Sequence, residues 1–166
     1  MVIIDGHNLL WAVWGAREGP ERISDLQLCR LVGWYLAQIG ETGEIVFDGP
    51  GPRDKSDFGA IEGVEVLFSG FRTDADTVIG DKIKASTAPR RLTVVSSDRR
   101  LRKAARARRA IAVKSEVFWS QVQKESRRSS KASREDEPAG KEKGLTESET
   151  EHWLEFFHMG DGSGQL

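Results

Sequence analysis

A single cysteine, Cys29, in a chain of 166 residues excludes an intramolecular disulfide and suits a reducing cytoplasm. Histidine is scarce too, and no second His or Cys stands at zinc-ligand spacing, which excludes a zinc site. No apolar stretch approaches the roughly 18 residues that a membrane span requires, so no membrane partner is expected. The opening Met1-Val2-Ile3-Ile4-Asp5 has no basic leader followed by a long apolar run. A secretory signal is therefore not expected, and a cytoplasmic location is. Internal repeats are absent. The formal net charge is −1, so the global balance says nothing about a nucleic-acid partner and the distribution of charge must carry that argument.

Short apolar runs rich in β-branched residues recur along the chain: Val2 to Ile4, Glu44 to Phe47, Val64 to Phe68, Leu92 to Val95 and, more weakly, Ile111 to Val113. Such runs bounded by polar or turn residues read as buried strands of a parallel sheet. Helical patterns lie between most of them. Leu28, Val32, Leu36 and Ile39 make one helical face, with Pro20 suited to its start and Gly40 to its stop. Val78, Ile79 and Ile83 mark a second helix, with Thr73 or Asp74 as N-cap. Leu101, Ala104 and Ala105 mark a third. Val117, Phe118 and Val122 mark a fourth, capped by Ser115. The connection from Gly49 to Gly63 carries little helical signal. Alternating strands and helices predict an α/β domain with right-handed crossovers.

This domain is expected to fill residues 1–124. Residues 125–144 hold almost nothing to bury and read as a disordered linker. Residues 145–158 read as a short amphipathic helix, with Thr146 and Glu149 at capping-box spacing and Trp153, Leu154, Phe156 and Phe157 on its apolar side. That helix either docks on its own domain or binds a partner. Residues 159–166 are expected to be a disordered tail.

The informative feature is where the aspartates fall. Asp5, Asp48 and Asp98 follow predicted strands, and Asp74 and Asp76 open the second helix. Sites in open parallel sheets form outside the carboxyl ends of the strands, so these side chains converge on one edge. Gathered carboxylates repel one another, a divalent cation relieves the repulsion, and oxygen-only ligands favour Mg²⁺ or Mn²⁺. Such an ion activates water and neutralises charge on a phosphodiester. The plainer alternative is that each Asp is a cap or turn residue, most readily Asp48 before Gly49-Pro50-Gly51 and Asp74 at the helix start. Asp81 faces either the site or solvent. Asn8 either hydrogen-bonds a site carboxylate, water or phosphate, or is the N-cap before Leu9-Leu10-Trp11. His7 is a candidate base or, more simply, a surface or packing residue, and Cys29 reads as core.

Between Arg90 and Arg109, Asp98 is the only acidic residue among nine Lys and Arg side chains. The helix after Asp98 therefore starts at the acidic edge with a cationic exposed side, which suits a phosphate backbone held without reading its sequence. Arg99, Arg100 and Lys103 are the nearest candidates, with Arg72 before the acidic helix. The alternative is a solvated helix face. Trp11 or Trp14, after the Asp5 motif, are candidates for base stacking, whereas Trp34 and Tyr35 read as packing.

Ile3-Ile4-Asp5-Gly6-His7-Asn8-Leu9 resembles the opening strand motif of the YacP-like NYN domains, PIN-like ribonucleases related to the ribosome-associated mRNA endonuclease. Ile45-Val46-Phe47-Asp48-Gly49, Ala75-Asp76, Val94-Val95-Ser96-Ser97-Asp98 and Val113-Lys114-Ser115-Glu116-Val117-Phe118 follow in order, so the resemblance covers residues 1–122 or so. It implies a PIN-like three-layer α/β fold with a parallel sheet of order 3-2-1-4-5. It also implies metal-dependent endonucleolytic cleavage of single-stranded RNA, with mRNA on the ribosome as one setting. By position Asp5, Asp76 and Asp98 match the family's acidic residues and Asn8 its asparagine. Members often carry an acidic residue one turn after the Asp matched by Asp76, and here Gly80 stands there, with Asp81 next. A non-catalytic RNA- or ribosome-binding module on a degenerate nuclease fold is the alternative. A haloacid-dehalogenase-type phosphohydrolase needs a second Asp where His7 stands.

Overall fold

The five apolar runs form the strands β1 (Val2–Asp5), β2 (Gly43–Phe47), β3 (Val64–Phe68), β4 (Thr93–Val95) and β5 (Ile111–Val113). They make one parallel sheet in the order β3-β2-β1-β4-β5, the order that the resemblance implies. The computed structural model describes residues 1–16 and 22–135. Helices α1 (Gly6–Gly15), α2 (Asp25–Gln38), α3 (Ser56–Gly59), α4 (Ala75–Ala85), α5 (Arg99–Ala107) and α6 (Ser115–Glu135) connect and follow the strands. No helix among the described residues is long and apolar enough to cross a membrane.

Alternation along the strands assigns the helices to faces. Ile3, Val46 and Val94 pack in one cluster with Ile79 and Ile83 of α4 and Leu101 and Ala105 of α5. Asp5 pairs in register with Val46 and lies two residues beyond Ile3, so it sits on that face. A Cβ on Gly43 would meet Leu36 of α2 at 2.7 Å. Gly43 alternates with Glu44 and Val46, so α2 covers the opposite face. Tyr35 of α2 meets Phe118 of α6 edge to face at 5.3 Å.

Several boundaries depart from expectation. Helix α2 begins at Asp25 rather than near Pro20, because Ser24 and Gln27 satisfy each other's backbone N–H groups in a capping box at 3.2 and 2.8 Å. Pro20 itself lies outside the described residues. Gly40 does end the helix, at φ 67°, a conformation that favours glycine. The Gly49–Gly63 connection contains the single turn α3, which buries Phe58 against Phe68. Ser115 is the first helical residue of α6, not its cap, and its hydroxyl has no hydrogen-bond partner among the described residues. The Ser115 N–H instead donates to the Ser97 hydroxyl at 3.2 Å.

Helix α6 continues through Lys124 to Glu135, where a structureless linker was expected. No Gly or Pro interrupts this stretch, Lys, Arg, Glu and Ala are good helix formers, and Arg128 pairs with Glu125 one turn away at 3.4 Å. Polarity alone was a poor guide to disorder here. The chain divides into two compact units, Met1–Val122 and Gln123–Leu166. The rest of the expected linker, the helix over 145–158 and the tail over 159–166 lie outside the described residues.

Candidate active site

Asp5 is 3% exposed, an expensive place for a carboxylate unless it is hydrogen-bonded. It closes β1 and caps α1: its Oδ1 accepts the Asn8 N–H at 3.1 Å. Its Oδ2 accepts the Asn8 side-chain amide at 2.7 Å and the Ser96 hydroxyl at 3.0 Å. Asn8 is therefore not the cap. It sits in the first turn of α1, and both its backbone and its amide hold Asp5. Burial raises the Asp5 carboxyl above its usual range, and the hydrogen bonds from Asn8 and Ser96 oppose that rise. Ser96 also accepts the Asp98 N–H at 3.0 Å, so one buried hydroxyl ties β1 to the start of α5. Ser96 stands inside the Val94–Asp98 motif, but nothing in the sequence marks it for this role. A fully buried hydroxyl between a strand and a helix cap leaves no periodic signal.

Asp76 lies in the first turn of α4, exposed. Its carboxyl is raised by partial burial and then by the negative charges of Asp5, Asp98, Asp74 and Asp48. The edge thus brings together the aspartates that the sequence scattered. They are not equivalent. Asp98 caps α5, its Oδ1 accepting the N–H groups of Arg100 at 2.6 Å and Leu101 at 3.1 Å. Asp74 caps α4 through the Thr77 N–H at 2.7 Å, and the Thr77 hydroxyl, followed by that N–H, holds its carboxyl below the usual range. Asp48 is a brace: its Oδ1 accepts the Ser69 hydroxyl and the Ala75 N–H, each at 3.1 Å. Asp81 points away, paired with Lys84 at 3.1 Å in solvent. At Gly80 a Cβ would meet nothing within 4 Å, so this position on the Asp76 side of α4 is open.

Among the described residues no three His, Cys, Asp or Glu side chains are grouped to hold a metal ion. The donors are nonetheless of the right kind: all are carboxylate oxygens. Magnesium commonly takes one or two carboxylates and keeps several waters, so a full protein ligand set is not required. Cys29 is buried in the core, and burial pushes its thiol up, away from any nucleophilic role.

Arg99, Arg100 and Lys103 are exposed on α5, as is Arg72 in the loop before α4. The ion pairs among the described residues involve none of them. Ser97 donates to Glu116 at 2.7 Å and holds that carboxyl low, with the Lys114 and Arg102 charges adding to the effect. The indole of Trp14 donates to the Ile23 carbonyl at 3.3 Å and carries the Arg22 guanidinium over its ring, so it is a packing residue. Trp11 is 62% exposed and lies against His7. His7 in turn accepts a long hydrogen bond, 3.4 Å, from the Asp48 N–H and packs on Phe47. Phe71, which sequence reasoning passed over, is 91% exposed.

Comparison with known proteins agrees with this architecture. Residues 2–158 match the YacP-like NYN domain family. A crystal structure of Rae1 (YacP) from Bacillus subtilis superposes with a TM-score of 0.68 at 20% identity, covering 95% of this chain and 92% of that one. A structure of a tryptophan-to-leucine mutant of the same protein gives 0.62 at 19% identity, over 81% of each chain. These likenesses are of fold. Among curated proteins no match is found.

Proposed function

The chain belongs to the YacP-like NYN domain family, a nuclease-type fold, and from that premise we propose that it is a metal-dependent endoribonuclease acting on single-stranded RNA, with mRNA on the ribosome as one setting. The observation that carries the reading is the gathering of carboxylates at one end of the sheet: the Ser96 hydroxyl links Asp5 to Asp98 at the start of α5, and Asp48 accepts the Ala75 N–H beside Asp76. Folding accounts for Asp5, Asp48, Asp74 and Asp98 one by one as caps or braces, but it gains nothing from placing Asp76 among them, because like charges destabilise the native state. A binding function gives it a reason.

Asp76 together with Asp5 or Asp98 would hold Mg²⁺ or Mn²⁺. When bound, the ion would lower the pKa of water and offset charge on the scissile phosphodiester. The chain's own residues do the rest. Asn8 and Ser96 fix both oxygens of Asp5 before any substrate arrives. Arg99, Arg100, Lys103 and Arg72 hold the phosphate backbone on either side. Arg99 and Arg100 sit in the first turn of α5, where the helix dipole disfavours cations. That local cost makes sense if an anion docks there. A cytoplasmic setting accompanies this reading: with a single, buried cysteine the chain needs no oxidising compartment to fold.

The test is cleavage of a labelled single-stranded RNA by purified protein with Mg²⁺, with Mn²⁺ and with EDTA, beside Asp5→Asn and Asp76→Asn. Activity should require the metal and vanish in both variants, while circular dichroism stays unchanged. Full cleavage by a variant carrying both Asp5→Asn and Asp76→Asn would remove the mechanism. A second reading, a non-catalytic RNA- or ribosome-binding module, is favoured by the lack of a three-carboxylate group among the described residues and by Gly80. It predicts metal-independent binding with no product.

A further inference from the structure

Phe71 has no place in the core or in the site as described, yet it is held rather than loose. The Ser69 N–H donates to the Phe47 carbonyl at 2.9 Å, and the Gly70 N–H to the Gly49 carbonyl at 2.8 Å. Gly70 takes φ 84°, which lets the chain turn there. On the far side, Asp48 accepts the Ala75 N–H, and Asp74 caps α4. Both ends of the segment are thus fastened to the rest of the sheet edge, and Phe71 projects between them with 91% of its surface in water. One exposed apolar side chain needs no explanation by itself, so the meaning of Phe71 rests on the chemistry gathered around its braced loop.

Its surroundings say which partner. Phe71 precedes the α4 cap, Asp74, by three residues, so the two lie within about 11 Å along the chain. Arg72 is its neighbour, exposed and without an ion pair among the described residues. On the other side of Asp5 in the sheet order, α5 offers Arg99, Arg100 and Lys103, which are in no ion pair among the described residues. The order across the edge is therefore ring, carboxylates, cations. A strand carrying both charged phosphates and flat apolar bases matches that order, whereas an apolar protein surface would leave the cations unused. On the nuclease reading, which this step requires, we infer that Phe71 is a stacking platform for one unpaired nucleobase, with Arg72 on an adjacent phosphate. The recognition is tolerant of sequence, since every base offers a π-face. It demands a single strand, since a paired base has its faces covered.

The test uses the full chain, a labelled single-stranded RNA and a set of the same RNA with one base removed at each position in turn. Binding is measured in EDTA and cleavage with Mn²⁺, for wild type, Phe71→Ala, Phe71→Leu and Phe71→Trp. Phe71→Ala should weaken binding and raise KM about 5- to 150-fold, the range for losing one stacked base. Little change in kcat is expected. Phe71→Trp should bind like wild type, and Phe71→Leu should not. One abasic position should weaken binding by wild type but not by Phe71→Ala. An active wild type with an indifferent Phe71→Ala, a Phe71→Leu as good as wild type, or equal abasic losses in both proteins would overturn the platform and leave the nuclease standing. A wild type that neither binds nor cuts RNA would remove the nuclease reading and the platform with it.

Discussion

The Ser96 hydroxyl donates to Asp5 Oδ2 at 3.0 Å, across the ladder between β1 and β4, while its oxygen accepts the Asp98 N–H at the same distance. One buried atom thus sets the separation of two acidic residues that lie 93 positions apart in the chain. Its removal makes a clear prediction. Ser96→Ala leaves a buried carboxylate short of one donor and the Asp98 N–H without its acceptor, costing about 1–3 kcal/mol in urea unfolding. The lost bond had lowered the Asp5 carboxyl. The acid limb of the pH–rate profile should therefore move to higher pH. An unshifted limb would mean that Asp5 does not act as the ionised group.

Asp76→Asn should abolish cleavage and yet stabilise the fold. The Asp76 carboxyl is raised above its ordinary 3.8 by burial and by four neighbouring negative charges. The folded chain then binds that proton more tightly than the unfolded chain does. Stability is accordingly lost as pH rises from about 4 through the raised value, and the loss is complete at neutral pH. In EDTA at pH 7 the Asn variant should melt higher than wild type, with the advantage gone near pH 3.5. Added Mg²⁺ should raise the wild-type Tm and leave the variant unmoved. A variant less stable than wild type at pH 7 would show that Asp76 is not under repulsion.

Two glycines make opposite predictions. A Cβ on Gly6 would lie 2.6 Å from the Phe47 ring, a contact that neither the start of α1 nor the packed ring can yield cheaply. Gly6→Ala should destabilise by about 1–3 kcal/mol and impair cleavage, because it displaces the turn carrying Asp5 and Asn8. Phe47→Leu in the same chain should recover part of both. Gly80, inside α4 with open space around it, should gain about 0.5–1 kcal/mol on replacement by Ala. Differential scanning fluorimetry on the variants separates the outcomes.

The strands were legible because each is a short β-branched run between turn residues, and Val64–Phe68 and Ile111–Val113 fall where the pattern put them. The sheet order came through the resemblance, not through periodicity, which cannot say which strand lies beside which. The aspartates Asp5, Asp76 and Asp98 were picked out as strand-end or helix-opening residues, and the fold does bring their charges to one edge. What stayed hidden depends on partners remote in sequence. Ser96 joins Asp5 across two strands, and Asp48 braces a loop at Ser69 and Ala75. The exposure of Phe71 is set by loop geometry rather than composition. Helix α6 outran its expected end because helix propensity does not need an apolar face to persist for a few turns.

The cationic face of α5 predicts a particular dependence on salt. Each phosphate contact on a single strand contributes about 0.7 to the slope of log affinity against log salt. Replacing Arg99, Arg100 and Lys103 together by Ser should therefore flatten that slope by about 2 and weaken binding similarly for every RNA sequence, because these groups read charge and not bases. The fold should not suffer. All three side chains are exposed and outside the ion pairs of the described residues, and two of them oppose the dipole of their own helix. Lys84→Ser is the control, since Lys84 sits in the last turn of α4, paired with Asp81, at the end of that helix away from Asp76. It should leave the slope untouched. Equal slopes for the triple variant and the wild type would mean that RNA does not travel along α5, and the cations there would revert to an ordinary solvated surface.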